Sequence, residues 1–140
     1  MSKENIIIGY TVGTFDLFHI GHLNLLKCAR KFCDRLIVGV NSEEYVLSYK
    51  PLKPIIPLDE RMEIVKSIKY VDDVFPVYEL DHGKICREYG CRIYFLGDDW
   101  KGTSHMVPQE KQLSEAGCEI KYLPRTSGIS TTMLREEIGK

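Results

Sequence analysis

The sequence predicts an α/β domain in which a parallel sheet carries helices on both faces, and three observations predict it. Short apolar runs alternate with amphipathic helical patterns almost from end to end. Two of those runs, Ile6-Ile7-Ile8 and Leu36-Ile37-Val38, are unbroken, as strands covered on both sides require. The 140 residues match one domain and leave no room for a second useful core. No repeat, low-complexity tract or linker divides the chain, so 1–140 is read as one unit.

Strands are predicted over 6–10, 36–40, 74–77, 93–96 and 120–123. Helices are predicted over 21–33, with Leu25, Leu26, Ala29 and Phe32 on one face, and over 58–69, with Met62, Val65 and Ile68 on one face. Three more cover 83–89, 108–116 and 130–138, and Gly117 is placed to end the second of these. Strand followed by helix followed by strand implies right-handed crossovers and parallel pairing. Two strands read as edges: the third holds Pro76, which has no N–H for a ladder, and the fifth is interrupted by Lys121. The first strand is then central and the order is 3-2-1-4-5, a single Rossmann-like doubly wound sheet. In such a sheet the ligand crevice opens at the strand C-terminal ends, between strands 1 and 4. Two loops, 48–57 and 100–107, are long enough to suggest function.

A formal net charge of −1 gives no global footprint for nucleic acid or an anionic membrane. No apolar run reaches the roughly 20 residues that cross a bilayer. The opening Met1-Ser2-Lys3-Glu4-Asn5 does not resemble a secretory signal, so a cytoplasmic protein is expected. The five cysteines are an odd number; Cys28 and Cys33, like Cys86 and Cys91, are five apart, about 140° around a helix. That spacing makes a poor metal clamp, and the cysteines are read as reduced.

Strand 1 runs out into Gly13-Thr14-Phe15-Asp16-Leu17-Phe18-His19-Ile20-Gly21-His22 at the predicted crevice. Gly13 suits a tight exit from the strand, where backbone N–H groups face a phosphate. His19 and His22 are three apart at a helix start, so both rings lie on one side, and Gly21 clears space for a ligand. Two imidazoles there can donate to phosphoryl oxygens and stabilise charge developing in transfer. The pair can also be read as metal ligands, but no third ligand of suitable spacing accompanies it. His19-Ile20-Gly21-His22 after Gly13-Thr14-Phe15-Asp16 resembles the signature of the HxGH nucleotidyltransferase superfamily. The same four letters occur in class I aminoacyl-tRNA synthetases, which are far longer chains.

A second motif, Arg125-Thr126-Ser127-Gly128-Ile129-Ser130-Thr131-Thr132, precedes the last helix. Thr126-Ser127-Gly128 is turn chemistry, Ser130 a helix N-cap, and three successive hydroxyl residues with the Arg125 fork form an anion cradle. The segment resembles the RTxGISTT signature of cytidylyltransferases, whereas adenylyltransferases of the superfamily show ISSTxxR, toward which Arg135 also reads. Gly97-Asp98-Asp99-Trp100 resembles a segment of bacterial glycerol-3-phosphate cytidylyltransferases, and the resemblance covers nearly the whole chain, departing at 50–57 and 100–112.

The resemblance implies transfer of cytidylyl from CTP to glycerol 3-phosphate, with Mg²⁺ arriving on the nucleotide. His19, His22, Arg125 and Lys50 are its implied catalytic groups. Thr14, Phe15, Gly21, Lys69, Asp99, Thr126, Gly128, Ile129, Ser130, Thr131 and Thr132 would line the nucleotide with them. Asp16, Lys50, Lys84 and Trp100 would meet the acceptor, Asp16 either orienting the first-motif loop or sitting close to the reacting phosphates, and Lys53 being an alternative to Lys50; Arg61 would be a structural or phosphate-side arginine, and no resident metal site is expected. Other acceptors (phosphocholine, phosphoethanolamine, other polyol phosphates), adenylyl transfer and a non-catalytic nucleotide-binding module stay open. The resemblance also implies a homodimer and a product used in teichoic acid or capsule assembly.

Overall fold

The computed structural model describes residues 6–139; the opening segment 1–5, read above as no secretory signal, lies outside the described residues. Five parallel strands, β1 (Ile8–Gly13), β2 (Arg35–Asn41), β3 (Asp73–Val77), β4 (Ile93–Gly97) and β5 (Glu119–Leu123), form one sheet in the order β3-β2-β1-β4-β5. Pro76 and Lys121 do lie on the two edge strands. β2 is buried from Leu36 to Asn41, the burial its unbroken apolar run predicts. β1 starts two residues later than predicted. Ile6 and Ile7 are exposed, and Ile7 N donates to Asp34 Oδ2 below the ladder, which begins at Ile8 opposite Arg35.

The helices are α1 (Ile20–Arg30), α2 (Glu43–Leu47), α3 (Leu58–Lys66), α4 (His82–Tyr89), α5 (Met106–Glu115) and α6 (Thr131–Ile138), with a 3-10 turn at Asp98–Trp100. α1 stops before the predicted 33 because the chain turns at Lys31, leaving Phe32 exposed rather than on the buried face. α5 begins earlier than expected, and Gly117, at φ 71°, follows its last turn in the left-handed region that glycine tolerates best. α2 was not anticipated. Ser42 caps it by accepting from Tyr45 N, and Glu43 and Glu44 favour its first turn.

The core has two layers, one on each face of the sheet. Leu26 and Ala29 of α1 and Val65 of α3 join Leu36, Val38, Val40 and Phe95 on one side. Ile85 and Cys86 of α4 and Met106 and Leu113 of α5 join Tyr10, Ile37 and Tyr94 on the other. All five cysteines are free thiols. No helix among the described residues is long and apolar enough to cross a membrane.

The sheet also opens where it should. β1 pairs with β2 over six positions but with β4 over two, Gly9–Ile93 and Tyr10–Tyr94. Beyond them Thr11 Oγ1 donates to Phe95 O across the widening gap at 2.7 Å. The loops after β1 and β5 converge on that gap.

Candidate active site

The turn after β1 is strained at two residues that are not glycine. Phe15 and Leu17 take φ of 53° and 49°, so the tight exit predicted at Gly13 is made two residues later. The turn sinks the Phe15 ring into the core and leaves its backbone at the cleft. Asp16 lines the larger chamber and braces the first-motif loop, the first of the two roles read for it. Its two carboxylate oxygens accept from Ile55 N (2.7 Å), Ile56 N (3.0 Å) and Arg135 Nη2 (3.2 Å), and its carbonyl accepts from Thr131 Oγ1 (2.9 Å). Burial alone would raise its pKa. The two amide bonds and Arg135 outweigh that and hold it below the usual carboxylate value.

Arg61 is fully buried beneath the same turn. Its guanidinium donates to the carbonyls of Ile56, Thr14 and Asn41 at 2.7–2.8 Å and to Glu43 Oε1 at 3.1 Å. Of its two anticipated roles, it takes the structural one. Arg135, the adenylyl-like feature, is likewise tied to Asp16 and to the Lys53 carbonyl.

The two histidines cap their own helix. His19 Nδ1 accepts from Gly21 N at 3.0 Å, and His22 Nδ1 accepts from His19 N at 3.2 Å, a reciprocal capping box made entirely of imidazole. An imidazole nitrogen that accepts from an amide carries no proton, so in each neutral ring the proton sits on Nε2. The rings stack with centroids 3.8 Å apart, and His22 is walled by Phe15 and Phe18 at 5.3 and 5.2 Å. Burial, and then the neighbouring His19, push the His22 pKa down to about 4; burial also lowers that of His19. Near neutral pH the pair is therefore two uncharged Nε2–H donors. Gly21 is required for a reason the sequence did not show. A Cβ there would stand 2.8 Å from His19 Cε1, so it is first the His19 ring that needs the space.

His19, Gly21 and His22 line one chamber with Asp99, Arg125, Thr126, Ile129, Ser130 and Thr131. A larger one, about 650 Å³, holds Thr14, Asp16, Lys50, Trp100, Thr132 and Arg135. His22, Leu25 and Thr131 border both, so the His22 ring stands where the two chambers meet, with His19 stacked on it in the first. Arg125 is half-exposed, and its only charged partner among the described residues is Asp99, at 3.5 Å. Ser130 caps α6 as predicted by accepting from Met133 N, and Asn24 holds Thr126 Oγ1. Thr131 spends its hydroxyl proton on Asp16 O, so it offers a ligand its lone pairs and the helix's first amides rather than an O–H. Gly128, at φ 82°, shapes the preceding turn without lining the cleft.

Two expected residues lie elsewhere. Lys69 sits between α3 and β3, at the N-terminal end of the sheet, with its ammonium 5.3 Å from the Tyr70 ring; a strand's N-terminal end faces away from the crevice. Lys84 points outward on α4 toward Glu88. Neither lines the two chambers described above. Asn41 and Tyr49 line the larger chamber but were not anticipated. A polar residue closing the apolar run of β2 at the crevice end was the available signal for Asn41.

The Cytidylyltransferase-like family model matches residues 10–137. The chain belongs to that family. It is 37% identical over 129 residues to the glycerol-3-phosphate cytidylyltransferase of Bacillus subtilis (strain 168), a match covering 91% of this chain and 94% of that one. Against the enzyme of the same name from Staphylococcus aureus (strain NCTC 8325 / PS 47) it is 34% identical over 131 residues, 91% of this chain and 92% of the other. Among solved structures, the lipopolysaccharide core biosynthesis protein from Thermoplasma volcanium GSS1 superposes with a TM-score of 0.71 at 26% identity, over 87% of this chain and 98% of that one. In this cytidylyltransferase-like chain both phosphate motifs fall within the matched span.

Proposed function

We propose that the chain transfers the cytidylyl group of CTP to glycerol 3-phosphate, giving CDP-glycerol and pyrophosphate. One observation carries the reading: two stacked neutral imidazoles with Nε2–H donors are fixed by their own helix, His22 bordering both chambers and His19 the first. The chamber with Arg125 and the α6 N-terminus suits the triphosphate, and the chamber with Lys50 suits an acceptor phosphate. The acceptor phosphate oxygen attacks the α-phosphorus in line and pyrophosphate leaves. A phosphate is a competent nucleophile at neutral pH, so alignment and charge stabilisation suffice and no base or covalent intermediate enters. The glycerol 3-phosphate specificity of the two relatives in their names supports the choice of acceptor.

Mg²⁺ enters this reading on the nucleotide. Asp16 is engaged by Ile55, Ile56 and Arg135, and Asp99 by Arg125. Among the described residues no group of three His, Cys, Asp or Glu is placed to hold a metal, so triphosphate oxygens would supply its ligands. A homodimer, a cytoplasmic location and use of the product in teichoic acid or capsule assembly belong to the same proposal and rest on the family resemblance.

The test is pyrophosphate release with Mg²⁺, offering glycerol 3-phosphate, other alcohol phosphates and an acceptor-free control, each with CTP and with ATP. Release with CTP and glycerol 3-phosphate is expected. Preference for ATP, or for an amino-alcohol phosphate over every polyol phosphate, would overturn the assignment.

A further inference from the structure

The larger chamber does not end at Lys50. Past Asn41, Tyr49 and Trp100, which line both spaces, it continues into a side chamber of about 340 Å³ bounded also by Tyr45, Leu96 and Gln109. Asn41 is the last residue of β2 and is only 6% exposed. Its Nδ2 donates to Thr14 Oγ1 and to Tyr49 OH, each at 3.3 Å, while its Oδ1 is buried without any partner. Buried acceptors are nearly always satisfied, and this unsatisfied one belongs to a residue that lines both chambers, which marks it as a candidate partner for a ligand donor.

Gln109 faces the same space with the opposite polarity. Its Oε1 accepts from His82 Nε2 at 2.8 Å, and His82 Nδ1 in turn meets Tyr10 OH at 2.6 Å. With its Oε1 engaged by His82, the Gln109 amide has its two N–H donors left over. The walls thus offer the Asn41 and Gln109 amides, His105 and the rings of Tyr45, Tyr49, Tyr94 and Trp100, and among the described residues no carboxylate lines the chamber. An alkylammonium group would find no counter-charge there. It would also approach Lys50, whose ammonium already sits 5.6 Å from the Tyr49 ring centroid.

We propose that this side chamber receives the hydroxyl-bearing tail of the acceptor, with Asn41 Oδ1 accepting from one of its hydroxyls and Gln109 donating to another. Asn41 is thereby the residue that selects polyol phosphates over amino-alcohol and plain alkyl phosphates. The inference rests on the alcohol-phosphate reading above and adds the substrate class. The space exceeds what the two free hydroxyls of glycerol need, so four- and five-carbon polyol phosphates belong to the class.

Trp100 is the single tryptophan and borders the chamber, so its emission reports acceptor binding without turnover. Titrations with glycerol 3-phosphate, erythritol 4-phosphate, phosphocholine and propyl phosphate, each with α,β-methylene-CTP present, are compared in the wild type and Asn41→Ala, with calorimetry as a second readout. Wild type is expected to prefer the polyol phosphates over propyl phosphate by about tenfold or more, and Asn41→Ala to bring the ratio near one by weakening the hydroxylated ligands alone. Gln109→Leu should do the same, and it serves if Asn41→Ala does not fold. An unchanged ratio in the variants, equal binding of propyl and glycerol phosphates by the wild type, or no acceptor binding at all would overturn the proposal. Polyol phosphates that bind as described but release no pyrophosphate from CTP would instead sink the transfer reading and leave the pocket standing.

Discussion

Two arginines flank the same cleft and are used in opposite ways. Arg61 is fully buried, and its guanidinium is spread over three backbone carbonyls and Glu43. Arg125 is half-exposed, with one long ion pair to Asp99. The region around Arg61, Asp16 and Arg135 satisfies itself within the chain, whereas the region around Arg125 and the α6 N-terminus leaves its donors open. A buried charge held within the chain through all three of its guanidinium nitrogens is not free to serve a ligand, so the brace shapes the cleft and the open donors bind in it. That contrast separates scaffold from binding group among residues that look alike in sequence.

The sharpest way to break the comparison is at Arg61. Arg61→Met keeps the volume but leaves three carbonyls and Glu43 without their donor, and should cost about 3–5 kcal/mol in urea unfolding. A loss below ~1 kcal/mol would mean the network is dispensable. Next comes His22→Ala, which should lower turnover about 10²-fold or more, near ~2.7 kcal/mol of transition-state stabilisation, with an unchanged circular dichroism spectrum. A change confined to nucleotide affinity would count against a catalytic role. Arg125→Ala should leave stability within about 0.5 kcal/mol while raising KM for CTP about tenfold, near ~1.4 kcal/mol. Destabilisation without an effect on CTP would erase the distinction drawn here.

The smallest effect is titration. His22 should titrate in proton NMR with a midpoint near 4, well below the ordinary imidazole value. Because its folded pKa lies below its unfolded one, the unfolded chain binds the proton first as pH falls. Stability from keeping this ring neutral is thus complete above ~6.5 and declines from there toward pH 4. A midpoint near 6.5 would show that the walls of Phe15 and Phe18 admit water.

Where the sequence was legible, it was through chemistry that acts locally or through a residue forbidden somewhere. Pro76 and Lys121 excluded two strands from the sheet centre, and that exclusion together with the doubly wound crossovers ordered all five. The HxGH and RTxGISTT segments carried their own spacing, and the fold brought them to one gap. Asp16 and Arg61 were harder, because their partners are 39 and 40, or 20 and 47, positions away and only the fold decides that all their bonds are taken. Lys69 lies away from the cleft for a geometric reason: it precedes a strand, and residues preceding a parallel strand emerge on the side opposite the crevice. Asn41 was passed over because a single asparagine ending a strand looks like a turn former until its carbonyl oxygen is seen to lack a partner.

The bond between Thr131 Oγ1 and Asp16 O joins residues 115 positions apart, and α6, which carries Thr131, contributes no fully buried side chain to the core. Closing so long a loop comes late in folding, since the entropy is lost before the contact is gained. A copy clipped before α6 would keep its sheet and both core layers yet lack half of its phosphate cradle. Such a copy would also leave the buried Asp16 carboxylate without Arg135, so the brace that shapes the cleft is lost together with the cradle.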